Sequence, residues 1–316
     1  MVGGILKNSS PFIHLLFSGL IIVGSFLLFL FVASLLAVPI FDLTPEELIT
    51  IIDDLSESEN MEIMKYFQIW LSIGTFVVPA FVIACFINGK SLEYLKLNQR
   101  VNSLSIIIVI LLMLVALPVI NLLAKWNAEM DLPGFLDGLE SRMREMEDKA
   151  GRLTETFLES KSFAQYIVNM IMIAVIPAIG EELLFRGVIQ RILISWTKNS
   201  HIGIIIAALI FSAFHLQFYG FLPRLVLGVI FGYLLFWSRT MWLPILAHFI
   251  NNGIAVTVYY IYSKEVVEQD VDALGTGKGA VLLIFISALF MGLIMWYIYR
   301  NEQSKVKTNQ EVDREN

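Results

Sequence analysis

Two adjacent carboxylates and two histidines stand in stretches that are otherwise built to avoid water. Glu181 and Glu182 are followed by Arg186 inside an apolar run from Ser162 to Ile194, which also carries Arg191. His215 closes Phe211-Ser212-Ala213-Phe214-His215, and His248 precedes Asn252 by four residues in Ala247-His248-Phe249-Ile250-Asn251-Asn252. Glu182 and Arg186 are i,i+4 on one helical face and can pair. Glu181 points about 100° away, and its own i+3 and i+4 positions are Leu184 and Phe185. One carboxylate is therefore neutralised within its helix, and the other is left for a partner elsewhere. Pro177 and Gly180 just upstream weaken that helix and allow a kink.

A carboxylate, a neutral imidazole and an amide side chain can hold a water and take its proton, the carboxylate serving first as base and then as acid. Histidine and asparagine donors can meet the oxyanion that develops on an attacked carbonyl. This is enough for amide hydrolysis with water as nucleophile. Glu181, His215 and His248 are equally a set that could ligate zinc or another divalent metal with one position open. The sequence contains neither HExxH nor GxSxG, so the zincin helix and the serine nucleophile elbow are absent.

The elements that position these residues are membrane helices. Of 316 residues, 57% are hydrophobic and 16% charged, where a soluble domain carries about 25% charged residues. That composition excludes a water-soluble globule and a disordered chain. The net charge of −6 without a basic stripe argues against a nucleic-acid partner. The single Cys85 excludes an internal disulfide framework. Asp, Glu, Lys and Arg are absent from residues 12–38, 67–87, 104–124, 202–218, 241–262 and 279–299. With the charged runs 162–194 and 221–237, this predicts an all-α polytopic protein of eight transmembrane helices. The first reads as a retained signal anchor. On these spans Glu181, His215 and His248 each fall within about 8 Å of the bilayer midplane. Three helices thus place polar groups at one level, the usual mark of a functional site in a membrane.

Loop charges set an orientation. Residues 39–66 hold eight acidic residues and one Lys, whereas 88–103 hold Lys90, Lys96 and Arg100 against Glu93. Continued through Lys198, Arg239 and Arg300, the alternation puts both termini in the cytoplasm. Thr44-Pro45-Glu46-Glu47 reads as a capped helix start, with Leu48, Ile51, Ile52 and Leu55 on one face. In the third loop, Leu136, Leu139, Met143, Met146, Ala150, Leu153 and Phe157 form a heptad seam. It fits an amphipathic helix on the bundle or at the membrane interface, or else a dimerising or gating arm. Gly228 and Gly232 read as a helix-packing pair, and residues 301–316 as an irregular polar tail.

In this order, EExxxR at 181–186, FxxxH at 211–215 and HxxxN at 248–252 resemble the CPBP family of intramembrane proteases, which includes the type II CAAX prenyl endopeptidases and the bacterial Abi proteins. The resemblance implies an endopeptidase in a bacterial cytoplasmic membrane that cuts a membrane-associated peptide or protein. Glu181 would be the water-activating base and His215 would help hold the water. His248 and Asn252 would polarise the scissile carbonyl, or ligate a metal in the metalloprotease reading. Glu182, Arg186 and Phe211 would support them. The chain then divides into N-terminal transmembrane helices with amphipathic loops (1–161), a catalytic core (162–262), and a last span with its tail (263–316). Two other readings use the same residues: a non-catalytic immunity or binding protein recruiting partners through the third loop, and a proton-coupled transporter. No internal repeat of broken helices favours the transporter.

Overall fold

A computed structural model describes residues 3–53, 61–158, 160, 162–262, 277 and 280–315, with side chains described as far as Asn301. Ten helices carry the argument: α1 (Pro11–Phe41), α2 (Pro45–Asp53), α3 (Met61–Asn88), α4 (Ser103–Ala128), α5 (Asp137–Leu158), α6 (Phe163–Thr197), α7 (Ser200–Phe214), α8 (Phe221–Ser238), α9 (Trp242–Ile261) and α10 (Ala280–Glu315). No strand occurs among the described residues.

Six helical stretches there are long and apolar enough to cross a membrane: those of α1, α3, α4, α6, the span Phe218–Ser238 and α10. This is a helical polytopic membrane protein. Two of the eight expected spans fall short of that measure. α7 has 15 residues, about 22 Å against a hydrocarbon core of about 30 Å. It ends at Phe214 rather than 218, because Leu216 adopts a left-handed backbone with φ 54°. α9 is long enough at 20 residues but carries His248, Asn251 and Asn252. α10 continues to Glu315, where the sequence predicts an irregular tail. Residues 301–315 contain no Gly or Pro and are rich in Lys, Gln and Glu, all good helix formers.

The helices are not equally central. Only 11% of the apolar stretch is buried in α1 and in α10, but 50% in α6. The outer helices turn leucines and phenylalanines outward, among them Leu20, Phe31, Leu282 and Phe285, as lipid contact requires. α6 lies between two apolar clusters. One joins α3, α6 and α7 around Ile83, Phe185 and Phe211. The other joins α4, α8, α9 and α10 around Leu112, Phe231 and Leu243.

α3 and α6 share an unusual local structure. Residues Ile73–Val77 and Met170–Val175 are π-helical, and each run is followed closely by a proline, Pro79 or Pro177. A proline lacks the N–H that an α-helix needs, so the backbone widens ahead of it. The two widened regions are packed together, since a Cβ on Gly180 would lie 2.8 Å from Phe76 Cβ and 3.1 Å from Val77 Cγ2.

The capped start of α2 is present: Thr44 N–H donates to Glu47 Oε2 at 2.8 Å, and Glu47 N–H donates to Thr44 Oγ1 at 3.2 Å. Leu55 lies outside the described residues. In α5 the seam splits. Phe157 is buried and packs with Met64, Met172 and Leu153, whereas Leu139 and Met146 are half-exposed.

Candidate active site

The EExxxR segment does not lie on a regular α-helix. Residues Glu182–Ile189 form a second π-helical run in α6, and every residue in it is buried. The expected ion pair forms nonetheless: Arg186 Nη1 donates to Glu182 Oε1 at 2.9 Å, with both side chains buried. Polar groups continue down the same side of the helix. Arg186 Nη2 donates to the Gly228 carbonyl at 3.4 Å, and Gln190 Nε2 to the Gly232 carbonyl at 3.2 Å. The two glycines let the α8 backbone come close enough to accept these bonds. A Cβ on Gly228 would lie 3.0 Å from Ala208 Cβ and 3.3 Å from Arg186 Nη2, and one on Gly232 would lie 2.7 Å from Gln190 Oε1. The small-residue pair read as a packing contact thus also serves the polar ladder. Gln190 was not singled out in the sequence, although its i+4 spacing from Arg186 continues the Glu182–Arg186 step.

Aromatic rings enclose the guanidinium. Arg186 Cζ lies 4.2 Å from the centroid of Phe211 and 5.4 Å from that of Phe231. The quadrupole of each ring favours the cation. Phe231 also stacks on His248 at 5.4 Å and 21°. Phe211, from the FxxxH motif, therefore supports Arg186. Phe231 does the same from the opposite cluster, and nothing in its apolar surroundings marks it in the sequence.

His248 is held by the carboxylate that α6 neutralises. Its Nδ1 lies 2.9 Å from Glu182 Oε1. A carboxylate can only accept, so Nδ1 carries the proton and Nε2 of the neutral ring keeps its lone pair. That Nε2 is 3.9 Å from Oε2 of Glu181, beyond direct hydrogen-bond reach. Oε2 of Glu181 and Oε2 of Glu182 are both buried and have no hydrogen-bond partner. Two acceptors, an imidazole nitrogen and a carboxylate oxygen, thus lie 3.9 Å apart, close enough for one water beside them to donate to both.

His215 caps α7. Its Nδ1 lies 3.0 Å from the Phe211 carbonyl, so Nδ1 again donates and Nε2 is again the free acceptor. This bond satisfies one of the carbonyls left open at a helix C-terminus. The ring packs edge-on to Phe211 at 5.1 Å and lies within electrostatic reach of His248, Arg186 and Arg224.

Asn252 is placed differently. Its Nδ2 donates to the Ile173 carbonyl at 3.0 Å, and its Oδ1 accepts from Asn251 at 3.1 Å. Pro177 is four residues beyond Ile173 and has no N–H to offer that carbonyl, so the amide of α9 fills the vacated place. Glu181, Glu182, Arg186, Phe211, His215 and His248 are gathered into one neighbourhood, and Asn252 braces the widened helix beside them. Among the described residues no three His, Cys, Asp or Glu side chains converge with metal-ligand geometry. The set of Glu181, His215 and His248 is not among such groups.

Sequence comparison meets this geometry at the same residues. Residues 163–254 match the family described as type II CAAX prenyl endopeptidase Rce1-like. The matched stretch holds the three motifs and the full set of side chains just described. The uncharacterized protein YpbD of Bacillus subtilis (strain 168) is 30% identical over 92 residues, which is 28% of this chain and 44% of YpbD. The likeness thus spans less than half of that relative. No solved structure matches the chain.

Proposed function

We propose that the protein is an intramembrane endopeptidase that hydrolyses a peptide bond of a membrane-associated substrate with water as nucleophile. The observation that carries this is the buried pair of facing acceptors, Glu181 Oε2 and His248 Nε2, 3.9 Å apart. A water there donates one hydrogen to each. Glu181 takes the proton as the water oxygen attacks the scissile carbonyl, and the C–N bond then breaks as the same proton passes to the leaving nitrogen. His248 Nε2 accepts the water's second hydrogen, which stays on the attacking oxygen, and so orients the nucleophile, while His215 Nε2 is a further acceptor at the edge of the site. Glu182 keeps the tautomer of His248 fixed, and Arg186 holds Glu182 in place. The Rce1-like match over residues 163–254 supports hydrolysis of this kind. A resident metal is a separate question that direct metal analysis of the purified protein answers.

The test is peptide cleavage by the full chain in proteoliposomes, with products identified by mass spectrometry. Glu181→Gln is nearly isosteric, so the variant should insert and fold as the wild type does. It should lose cleavage by about 10²–10⁴-fold, the usual contribution of a general base. Cleavage at the wild-type rate by a folded Glu181→Gln protein would sink the proposal.

A further inference from the structure

The imidazole of His248 hangs from a soft torsion, since χ2 of histidine has broad rather than staggered wells. Among the described residues one hydrogen bond holds the ring, from Nδ1 to Glu182 Oε1 at 2.9 Å. The same oxygen also accepts from Arg186 Nη1 at 2.9 Å. A single bond to a shared acceptor selects which edge of the imidazole faces Glu182, but it leaves the ring free to twist about that bond. Nε2 lies 3.9 Å from Glu181 Oε2. A modest twist would carry it away from the place where one water reaches both.

Phe231 removes that freedom. Its ring lies nearly parallel to the imidazole, at 21° with the centroids 5.4 Å apart, an offset stack. Phe211 meets the imidazole from another side and edge-on, at 83° and 6.2 Å. Arg186 has Phe211 as its nearer ring, at 4.2 Å against 5.4 Å for Phe231, whereas among the described residues the imidazole stacks on Phe231 alone. Phe231 is itself fixed: it is 1% exposed and packs in the cluster of Leu112, Leu243 and Ala247. Its backbone is fixed as well. It stands between Gly228 and Gly232, whose carbonyls accept from Arg186 and Gln190. Those bonds set how close α8 comes to α6, and so the place from which the ring reaches His248. The edge of the imidazole is therefore chosen from α6, and its plane from α8.

We infer that Phe231 is a positioning residue for hydrolysis: its ring holds the plane of His248 so that Nδ1 stays on Glu182 while Nε2 stays beside Glu181. It acts through His248 and needs no contact with the substrate. What the position requires is then a flat ring, not apolar bulk alone. The inference rests on the peptidase reading, in which His248 Nε2 orients the attacking water.

The experiment is nitrogen NMR of the full chain in nanodiscs, isotope-labelled at its four histidines, beside cleavage kinetics. The His248 signals are those lost in His248→Gln. In the wild type a protonated Nδ1 and a bare Nε2 should give two well-separated signals. Phe231→Leu and Phe231→Met keep an apolar side chain without the ring. In both, the two signals should move towards each other as tautomers and ring orientations mix. Their kcat should fall about ten- to a hundredfold, the scale of a small misplacement of a reacting group, while KM changes by less than about twofold. Phe231→Tyr keeps the ring and should restore the wild-type signals and most of kcat, even as its hydroxyl lowers the melting temperature in so apolar a place. Wild-type His248 signals in folded Phe231→Leu or Phe231→Met protein overturn the inference. So does a loss of kcat that follows the melting temperature across the three variants rather than the presence of the ring. The NMR signals do not depend on turnover, so failure of the peptidase reading would show separately, as unimpaired cleavage by Glu181→Gln.

Discussion

At the scale of single residues, the site is organised around one buried ion pair. Arg186 and Glu182 are almost fully buried, and such a pair is expensive to place in a low dielectric unless every remaining donor and acceptor is used. Here most are: Arg186 also meets the Gly228 carbonyl and two aromatic faces, and Glu182 also holds His248. Removing one partner leaves the other charged and buried. Arg186→Ala should therefore destabilise the fold by roughly 3–5 kcal/mol, read as a lower unfolding temperature in detergent. Arg186→Lys should cost less in stability but still impair catalysis, because a single ammonium cannot meet Glu182 and Gly228 while lying flat between two rings. A wild-type melting temperature for Arg186→Ala would refute this account of the pair.

At the scale of elements, the decisive feature is where helices depart from α geometry. The i,i+4 relation of Glu182 and Arg186 was legible in the sequence and holds in the structure, because a side chain as long as arginine bridges that spacing even on a widened helix. The π-helical runs were not legible, since each depends on packing between α3 and α6 as well as on its proline. The role of Asn252 was hidden for the same reason. Its spacing from His248 suggests a second group aimed at the substrate, but the carbonyl orphaned by Pro177 claims its amide. Phe231 and Gln190 escaped notice because an apolar ring in an apolar span, and an amide one turn past a known motif, carry no signal alone.

The proline and the asparagine should therefore be coupled energetically. Asn252→Ala leaves the Ile173 carbonyl without this partner in a half-buried place, at a cost of about 1 kcal/mol. In a Pro177→Ala background a backbone N–H becomes available four residues beyond Ile173, and the same Asn252→Ala change should cost less. A double-mutant cycle on unfolding free energy should give a coupling of at least about 0.5 kcal/mol. Additive effects would show that the two residues act independently.

At the scale of the whole molecule, α8 separates two ends of opposite character. Its 18 residues span about 27 Å, close to the thickness of a bilayer core. Beyond its C-terminus, Arg239 joins a basic end: Met241 N–H donates to the Lys96 carbonyl at 3.1 Å, and Trp242 Nε1 donates to the Leu97 carbonyl at 3.0 Å. Before its N-terminus, residues 218–220 join the acidic arm α5: Tyr219 N–H donates to Glu147 Oε2 at 3.2 Å, and Arg144 stacks over the Tyr219 ring at 4.4 Å. The arm has its own acid-sensitive joint. Glu140 accepts the Leu132 N–H at 2.7 Å and then a bond from Arg144, which together hold its carboxyl below the usual carboxylate range. A lowered folded-state pKa contributes stability that is present above the unfolded value and is lost as pH falls through the folded one. Hydrogen-exchange protection at residues 132–144, taken relative to the intrinsic exchange rate at each pH, should therefore fall on acidification below about pH 4.5, and Glu140→Gln should remove most of that pH dependence. Protection independent of pH in the wild type would show that the carboxylate does not hold the arm.

The two ends also make a prediction about sidedness. The loops holding Lys96, Arg100 and Arg239 belong to one face by the hydrogen bonds just given, and positive loop charge favours the cytoplasm. The acidic arm must then face the other compartment, together with residues 218–220 at the N-terminal end of α8. In a Cys85→Ser background, a cysteine introduced at Phe135, which is 85% exposed beside the arm, should react with a membrane-impermeant maleimide in intact cells. One introduced at the exposed Gln99 should react only after permeabilisation. The reverse pattern would invert the orientation, and labelling of both from the same side would contradict the separation of the two ends by α8.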